Sequence, residues 1–214
     1  MNKKRNMRLG TMLNPVPVVL VSCGEGKNKN LITIAWTGII NSDPPMTYIS
    51  VRKSRHSHSI ISKSREFVIN LVDENIVKAT DFCGVKSGRD VDKFEACGFT
   101  AAPSSLISSP IVYEAPVNLE CAVKDIIELP SHDMFIAEIV NVHADESLFD
   151  ASDRIRLDKA GMVAYNHGEY FALKKSPIGK FGYSVMKSST RKRINGEKRS
   201  RANSRRKGKD KDSK

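Results

Sequence analysis

The sequence predicts a mainly β fold, a closed antiparallel β-barrel with peripheral helices. Three observations predict it. Short apolar runs rich in β-branched and aromatic residues recur from Val16 to Leu173, and glycine, proline and asparagine punctuate them. Only a few short segments carry apolar residues at the helical period, and no internal repeat is present. Many short strands with few helices fit one closed sheet.

Val16 to Cys23 reads as a strand, and the glycine- and polar-rich Gly24 to Asn30 as the turn of an opening hairpin. Leu31 to Ile39 and Met46 to Val51 read as strands flanking Asn41-Ser42-Asp43-Pro44-Pro45. That stretch is expected to be a loop, because Pro45 drives Pro44 out of helical geometry and neither proline can donate a ladder hydrogen bond. Ser57 is placed to cap a short helix through Lys63. Glu66 to Leu71 is a further strand, followed by a helix capped by Asp73 and bearing Ile76, Val77, Thr80 and Cys83. A second short helix is expected from Asp90, with Val91, Phe94 and Cys97 on one side and Gly98 as a left-handed stop. Val117 to Ile127 and Met134 to His143 are strands parted by Leu129 to Asp133, which puts His132 at a strand start or in its loop. Gly161 to Leu173 holds two strands around an Asn166-His167-Gly168 turn.

Chemistry concentrates between Asn30 and Ser59. Two apolar runs end in clustered cations and hydroxyls, Arg52, Lys53, Arg55, His56 and Ser57, beside a helix start whose unpaired N–H groups favour phosphate. The stretch reads as a cradle for a flat, phosphorylated ligand. Asn30, Thr33 and Trp36 offer an amide, a hydroxyl and a flat indole, and the backbone amides around Ala35 to Thr37 can meet ring heteroatoms. Taken singly, Trp36 also fits ordinary core, Lys93 an exposed helix charge, and His132 a loop histidine.

The formal charge of +11 is a property of one end. Lys187 to Lys214 holds 13 Lys/Arg and 3 Asp/Glu, which leaves 22 basic and 21 acidic residues before it. The body is therefore close to neutral. Residues 188–214 lack aromatics and have only Ile194 among large aliphatics, so a disordered polybasic tail is expected beyond a 1–187 domain. Such a tail attracts polyanions without reading sequence, and the body has no base-reading motif. Cys23, Cys83, Cys97 and Cys121 form no C-x-x-C pair, which argues against a zinc framework and for free thiols in the cytoplasm. Val16 to Val21 is too short for a membrane span. Gly24-Glu25-Gly26 lacks the third glycine of a dinucleotide turn, neither Gly26-Lys27 nor Gly179-Lys180 is followed by Ser or Thr, and His56-x-His58 has no partner at a familiar metal-ligand spacing.

Thr33-x-Ala35-Trp36, the Asn41 to Pro45 stretch and Phe67-Val68-Ile69-Asn70-Leu71 are followed by Cys83-Gly84-x-x-Ser87-Gly88-Arg89-Asp90-x-Asp92-Lys93-Phe94 and Ile178-Gly179-x-Phe181-Gly182-Tyr183. In this order, over roughly Met12 to Lys187, they resemble the flavin reductase-like, FMN-binding split-barrel family, in its flavoredoxin-like branch. The resemblance implies a homodimeric split barrel holding FMN without a covalent link. It places Asn30, Trp36, Ser57, Lys93, His132 and Tyr165 at the family's FMN contacts, with Ser57 where threonine is usual and Tyr165 where phenylalanine is. Together with the residue reading, the expected cofactor site is Asn30, Thr33, Ala35, Trp36, Thr37, Arg52, Ser57, Lys93, His132 and Tyr165, and no protein nucleophile is required. Two functions follow from it: an NAD(P)H-dependent flavin reductase, or an electron-transfer flavoprotein reduced by a partner protein.

Overall fold

A computed structural model describes residues 3–174, 176–190 and 193. The chain divides into two compact units, Met1–Lys175 and Ser176–Lys214. In the first, strands β1 (Val16–Pro17), β2 (Val19–Cys23), β3 (Asn30–Ile34), β4 (Thr37–Ser42) and β5 (Pro45–Arg52) precede helix α1 (His56–Ser64). Strand β6 (Glu66–Leu71) leads to α2 (Val77–Val85) and α3 (Lys93–Cys97). The short strands β7 (Ala101–Ala102) and β8 (Ile111–Val112) come before the long pair β9 (Val117–Glu128) and β10 (His132–Ala144), and β11 (Val163–Asn166) and β12 (Glu169–Ala172) close the series. In the second unit the described residues include one 3₁₀ turn, Tyr183–Val185. Most of the expected polybasic tail, 188–214, lies outside the described residues. Among the described residues no helix is long and apolar enough to cross a membrane.

The main sheet runs β3-β2-β6-β9-β10-β5-β4, and each neighbouring pair in it is antiparallel. Its two end strands, β3 and β4, are joined in the chain by only Ala35 and Trp36. Two residues can bridge the ends of a seven-stranded sheet only if the sheet curls back on itself. The seam is visible where Ser50 N–H donates to the Trp36 carbonyl at 2.9 Å, tying the link to β5. This corrects the single strand expected over Leu31 to Ile39: the run is two strands broken at Ala35-Trp36, because the chain turns there from one end of the sheet to the other. The opening strand is likewise divided, β1 pairing with β11 in a separate three-stranded sheet while β2 enters the barrel. The proline stretch is shorter than expected, since Ser42 pairs with Pro45 and only Asp43-Pro44 form the turn. Pro45 lies next to the sheet's terminal strand at the first position of β5, where its missing N–H is tolerated.

Period-two alternation fills the barrel. Val19, Val21 and Cys23 of β2, Ile32 and Ile34 of β3, and Ile49 and Val51 of β5 meet Phe67, Ile69, Cys121, Val123, Phe135 and Ala137 inside, and Ile61 of α1 joins them. The opposite residues of the first strands, Leu20 and Leu31, pack outward with Cys83 of α2 and Phe94 of α3. Strand β2 is thus buried on both faces, and each such aliphatic side chain contributes about 1.5–3 kcal/mol of transfer free energy. Helix α3 starts at Lys93 rather than Asp90 because Asp92 is the cap, its carboxylate accepting from Phe94 N–H at 2.9 Å and Glu95 N–H at 3.2 Å. Gly98 ends it in the left-handed region at φ 67°, as expected. Asp73 takes the N–H groups of Asn75 and Ile76, both at 3.1 Å, in the turn that enters α2.

One buried acid holds a loop to the barrel. Glu120, in the first third of β9 and 0% exposed, accepts from Ser105 N–H and Leu106 N–H at 2.8 Å, Asn141 Nδ2 at 3.0 Å and His143 Nε2 at 2.5 Å. Burial pushes its carboxyl up, but the bonds from Asn141, Ser105, His143 and Leu106 outweigh burial and bring it down to about 2.

Candidate functional site

The seam at Ala35-Trp36 opens onto a cleft with two lobes, one of about 410 Å³ and one of about 490 Å³, sharing Ile32, Arg52 and Arg55. The first lobe is aromatic. Trp36, 40% exposed, stands with Ala35 and Ile34 on one wall, His132 and Ser50 come from the β10–β5 pair, and Tyr165 and Tyr170 from the β11–β12 hairpin. The two tyrosine rings meet edge to face at 5.7 Å, and the Tyr170 hydroxyl donates to Asp81 at 2.9 Å, which fastens the hairpin to α2. Thr33 lines this lobe, but its hydroxyl is engaged by the Thr80 carbonyl.

The second lobe is cationic. Arg52, Arg55, Lys86, Arg89 and Lys93 line it with Asn30, Ser57 and His56, and no acidic residue belongs to the lining. Asn30 Nδ2 donates to Ser57 Oγ at 2.8 Å, joining β3 to the first turn of α1. Ser57 is therefore not the helix cap: Arg55 occupies that position, no side chain caps α1, and Ser57 is buried one residue into the helix. The first-turn N–H groups of α1 thus face no capping side chain, a favourable setting for an anion. Gly88 passes so close to Asn30 that a Cβ there would collide with the amide, so only glycine lets the loop close the lobe. Arg89 Nη1 then donates to the Ser54 carbonyl at 3.3 Å, tying this loop to the one before α1.

Lys93 is the best fixed of the cations. Only 4% exposed, it donates to the Leu31 and Cys83 carbonyls, both at 2.7 Å. An ammonium has three hydrogens, so one remains for a ligand. Burial pulls its pKa down, the nearby Cys83 pushes it up, and Arg55 pulls it down again. Burial likewise lowers His56, aided by Arg89 and Lys93, and lowers His132, aided by Arg52. These shifts share a cause, a low-dielectric cleft under a positive field, which stabilises an incoming anion.

Nine of the ten expected cofactor residues line the cleft: Asn30, Thr33, Ala35, Trp36, Arg52, Ser57, Lys93, His132 and Tyr165. Thr37 does not line it. Its hydroxyl donates to the Tyr48 carbonyl at 2.6 Å inside the β4–β5 pair. Sequence reasoning missed Lys86, Arg89 and Tyr170 as site residues and left Arg55 out of the final set. The Ser87-Gly88-Arg89 turn between two helices was the available signal, a glycine flanked by cations near a helix start. Among the described residues no cluster of His, Cys, Asp and Glu is arranged to hold a metal ion.

Comparison with known proteins gives one consistent answer. Residues 11–174 match the family described as flavin reductase like domain. In structure the chain is similar to flavoredoxin of Desulfovibrio vulgaris (Miyazaki F), with a TM-score of 0.79 and 29% identity over 85% of this chain and 100% of that one. It is similar to flavoredoxin from Methanosarcina acetivorans, with a TM-score of 0.77 and 26% identity over 86% of this chain and 100% of that one. It also resembles the 2-nitrobenzoate 2-nitroreductase NbaA of Pseudomonas fluorescens, with a TM-score of 0.72 and 26% identity over 82% and 89% of the two chains. A curated protein of Pyrococcus abyssi is 28% identical over 139 residues, 65% of this chain and 80% of that protein. With its barrel, its seam and a two-lobed cleft in place, the chain belongs to the flavin reductase-like family of FMN-binding split barrels.

Proposed function

We propose that this protein binds FMN across both lobes and acts as an NAD(P)H-dependent oxidoreductase of the flavin reductase type. The observation that carries the reading is the continuity of an aromatic lobe with a cationic one through Arg52 and Arg55. The residues fit the cofactor. A planar ring matches the wall of Trp36, Ala35 and Ile34, and a phosphate dianion matches a lobe with five cations and no acid. When bound, FMN supplies a hydride acceptor and an electron donor. The chain's own residues bind and orient: Lys93 and Arg52 hold negative charge, Asn30 and Ser57 present a pre-formed polar pair, and the tyrosines flank the ring end. No proton-transfer residue is needed for that task, because orientation and field are what the protein provides.

Titrating FMN and riboflavin tests the assignment. FMN should bind more tightly by about tenfold or more, since a charge-assisted contact is worth on the order of 1.5–3 kcal/mol. Equal affinities would overturn the cationic lobe as the phosphate site. Anaerobic addition of NADH or NADPH to the FMN-loaded protein should then bleach the flavin absorption within seconds.

A second reading, a flavoredoxin-type relay reduced by a partner protein, draws support from the likeness to two flavoredoxins over most of this chain. It is the better one if bleaching by NAD(P)H is slow and a reductase accelerates it. Both readings include a homodimer, in keeping with the exposed Ile39 and Ile40 on the terminal strand β4. Sedimentation at micromolar concentration decides that point, and a monomer with full FMN affinity would exclude a shared site.

A further inference from the structure

We infer that Cys83 and Cys97 are a disulfide site that fastens the cation-bearing loop of the cleft. The two sulfurs lie 3.7 Å apart, Cys83 on α2 and Cys97 on α3, and both thiols are free. A disulfide requires about 2.05 Å, so closure needs a movement of roughly 1.7 Å between two short helices. Among the described residues no other pair of thiols is in contact. The ring that the bond would close contains Lys86, Ser87, Gly88, Arg89 and Lys93, every contribution of this loop to the cationic lobe. The coupling is also direct, because the Cys83 carbonyl is one of the two acceptors that hold the Lys93 ammonium.

The pair has an entry point and a resolving partner. Cys97 is partly exposed, whereas Cys83 is fully buried, so an oxidant meets Cys97 first. With hydrogen peroxide as oxidant, the Cys97 sulfur attacks one peroxide oxygen, the O–O bond breaks, and a sulfenic acid forms with loss of water. The Cys83 sulfur then attacks the Cys97 sulfur, the S–S bond forms, and the second water leaves. Two thiols lose two electrons and two protons, and one peroxide becomes two waters. Burial pushes Cys83 up to about 12 and also raises Cys97, so thiolate is scarce at neutral pH and the reaction is slow.

Closing the ring removes freedom from the loop, which favours a bound phosphate because less ordering remains to be done on binding. This consequence rests on the FMN reading, whereas the disulfide does not. By linkage, FMN must stabilise the disulfide by the same factor as the disulfide tightens FMN.

The test uses the purified full chain, treated with hydrogen peroxide or oxidised glutathione and then blocked at its remaining thiols. The expected result is a mass loss of about 2 Da and a cross-linked peptide joining Cys83 to Cys97. The melting temperature should rise by roughly 5–10 °C, and the Kd for FMN should fall several-fold. Cys97→Ser should abolish the mass loss and the thermal shift. A stable glutathione adduct or sulfinic acid on Cys97, with Cys83 still a free thiol, would overturn the site. An identical FMN Kd in the two redox forms would overturn the fastening. A disulfide that forms in a protein binding FMN in neither form would confirm the thiol site and overturn the flavin reading instead.

Discussion

Lys93 and Glu120 are both buried charges, 4% and 0% exposed, and the molecule treats them in opposite ways. Glu120 receives four hydrogen bonds on its two oxygens, two from backbone N–H groups and two from side chains. Its acceptor capacity is used up inside the protein. Lys93 receives two backbone carbonyls for three hydrogens and lines a cleft crowded with other cations. A saturated buried charge organises the fold, while an incompletely saturated one beside a cavity is prepared for a ligand. Burial is the largest single influence at both positions and opposes the charge; at Glu120 the four donors together overcome it, whereas at Lys93 it prevails.

This contrast can be broken by exchanging readouts. Glu120→Ala should cost about 3–5 kcal/mol in urea denaturation, because the Ser105 and Leu106 amides lose their acceptor, while the folded protein keeps its FMN affinity. A loss below about 1 kcal/mol would show that the loop is held by something else. Lys93→Met should do the reverse, weakening FMN roughly ten- to a hundredfold with a smaller stability loss of about 1–3 kcal/mol, as calorimetric titration and melting would show. If FMN affinity survives, the remaining hydrogen of Lys93 does not meet the ligand.

Acid sharpens the same comparison. The Glu120 carboxyl is depressed in the folded protein from 4.5 to about 2, so its ionised form stabilises the fold fully above pH 4.5. That contribution is lost as pH falls from 4.5 toward 2. Melting temperature should therefore drop more steeply with acid in the wild type than in Glu120→Gln over this window, and parallel curves would contradict the assignment. The smallest effect is expected for the more peripheral Arg89→Ala: stability within about 0.5 kcal/mol, FMN affinity lowered several-fold, and a shallower salt dependence of binding.

The strands were legible because alternation is a local signal. Glu66–Leu71 appears with the expected bounds, and Asn166-His167-Gly168 marks the β11–β12 turn with His167 and Gly168 at its centre. What was illegible depends on closure. Nothing local says that Ala35-Trp36 divides a continuous apolar run, because the break is imposed by the distance between two ends of a sheet. Ser57 reads as a cap by type, yet Asn30, 27 residues away, claims its hydroxyl. The same holds for the site. Lys93 and His132 were expected through their place in a family pattern and line the cleft; Arg89 stands in the same pattern without having been read as a lining residue, and Tyr170 enters through a hairpin that only the tertiary structure brings to the cleft. Thr37 has a favourable residue type and position, but the β4–β5 pair consumes its hydroxyl.

The two-residue link between β3 and β4 has a consequence for how this protein tolerates being cut. Severing the chain between Ala35 and Trp36 in a circular permutant would leave most strand pairs intact but release the sheet's ends, exposing unpaired backbone to other chains. The same cut would divide the wall that Trp36 shares with Ala35. Closing the barrel and completing the cleft are thus one event. A ligand that binds only the completed cleft holds the seam shut by mass action, with a stabilisation that grows as the logarithm of its concentration. Flavin supply would then set the lifetime of the folded chain as well as its redox capacity.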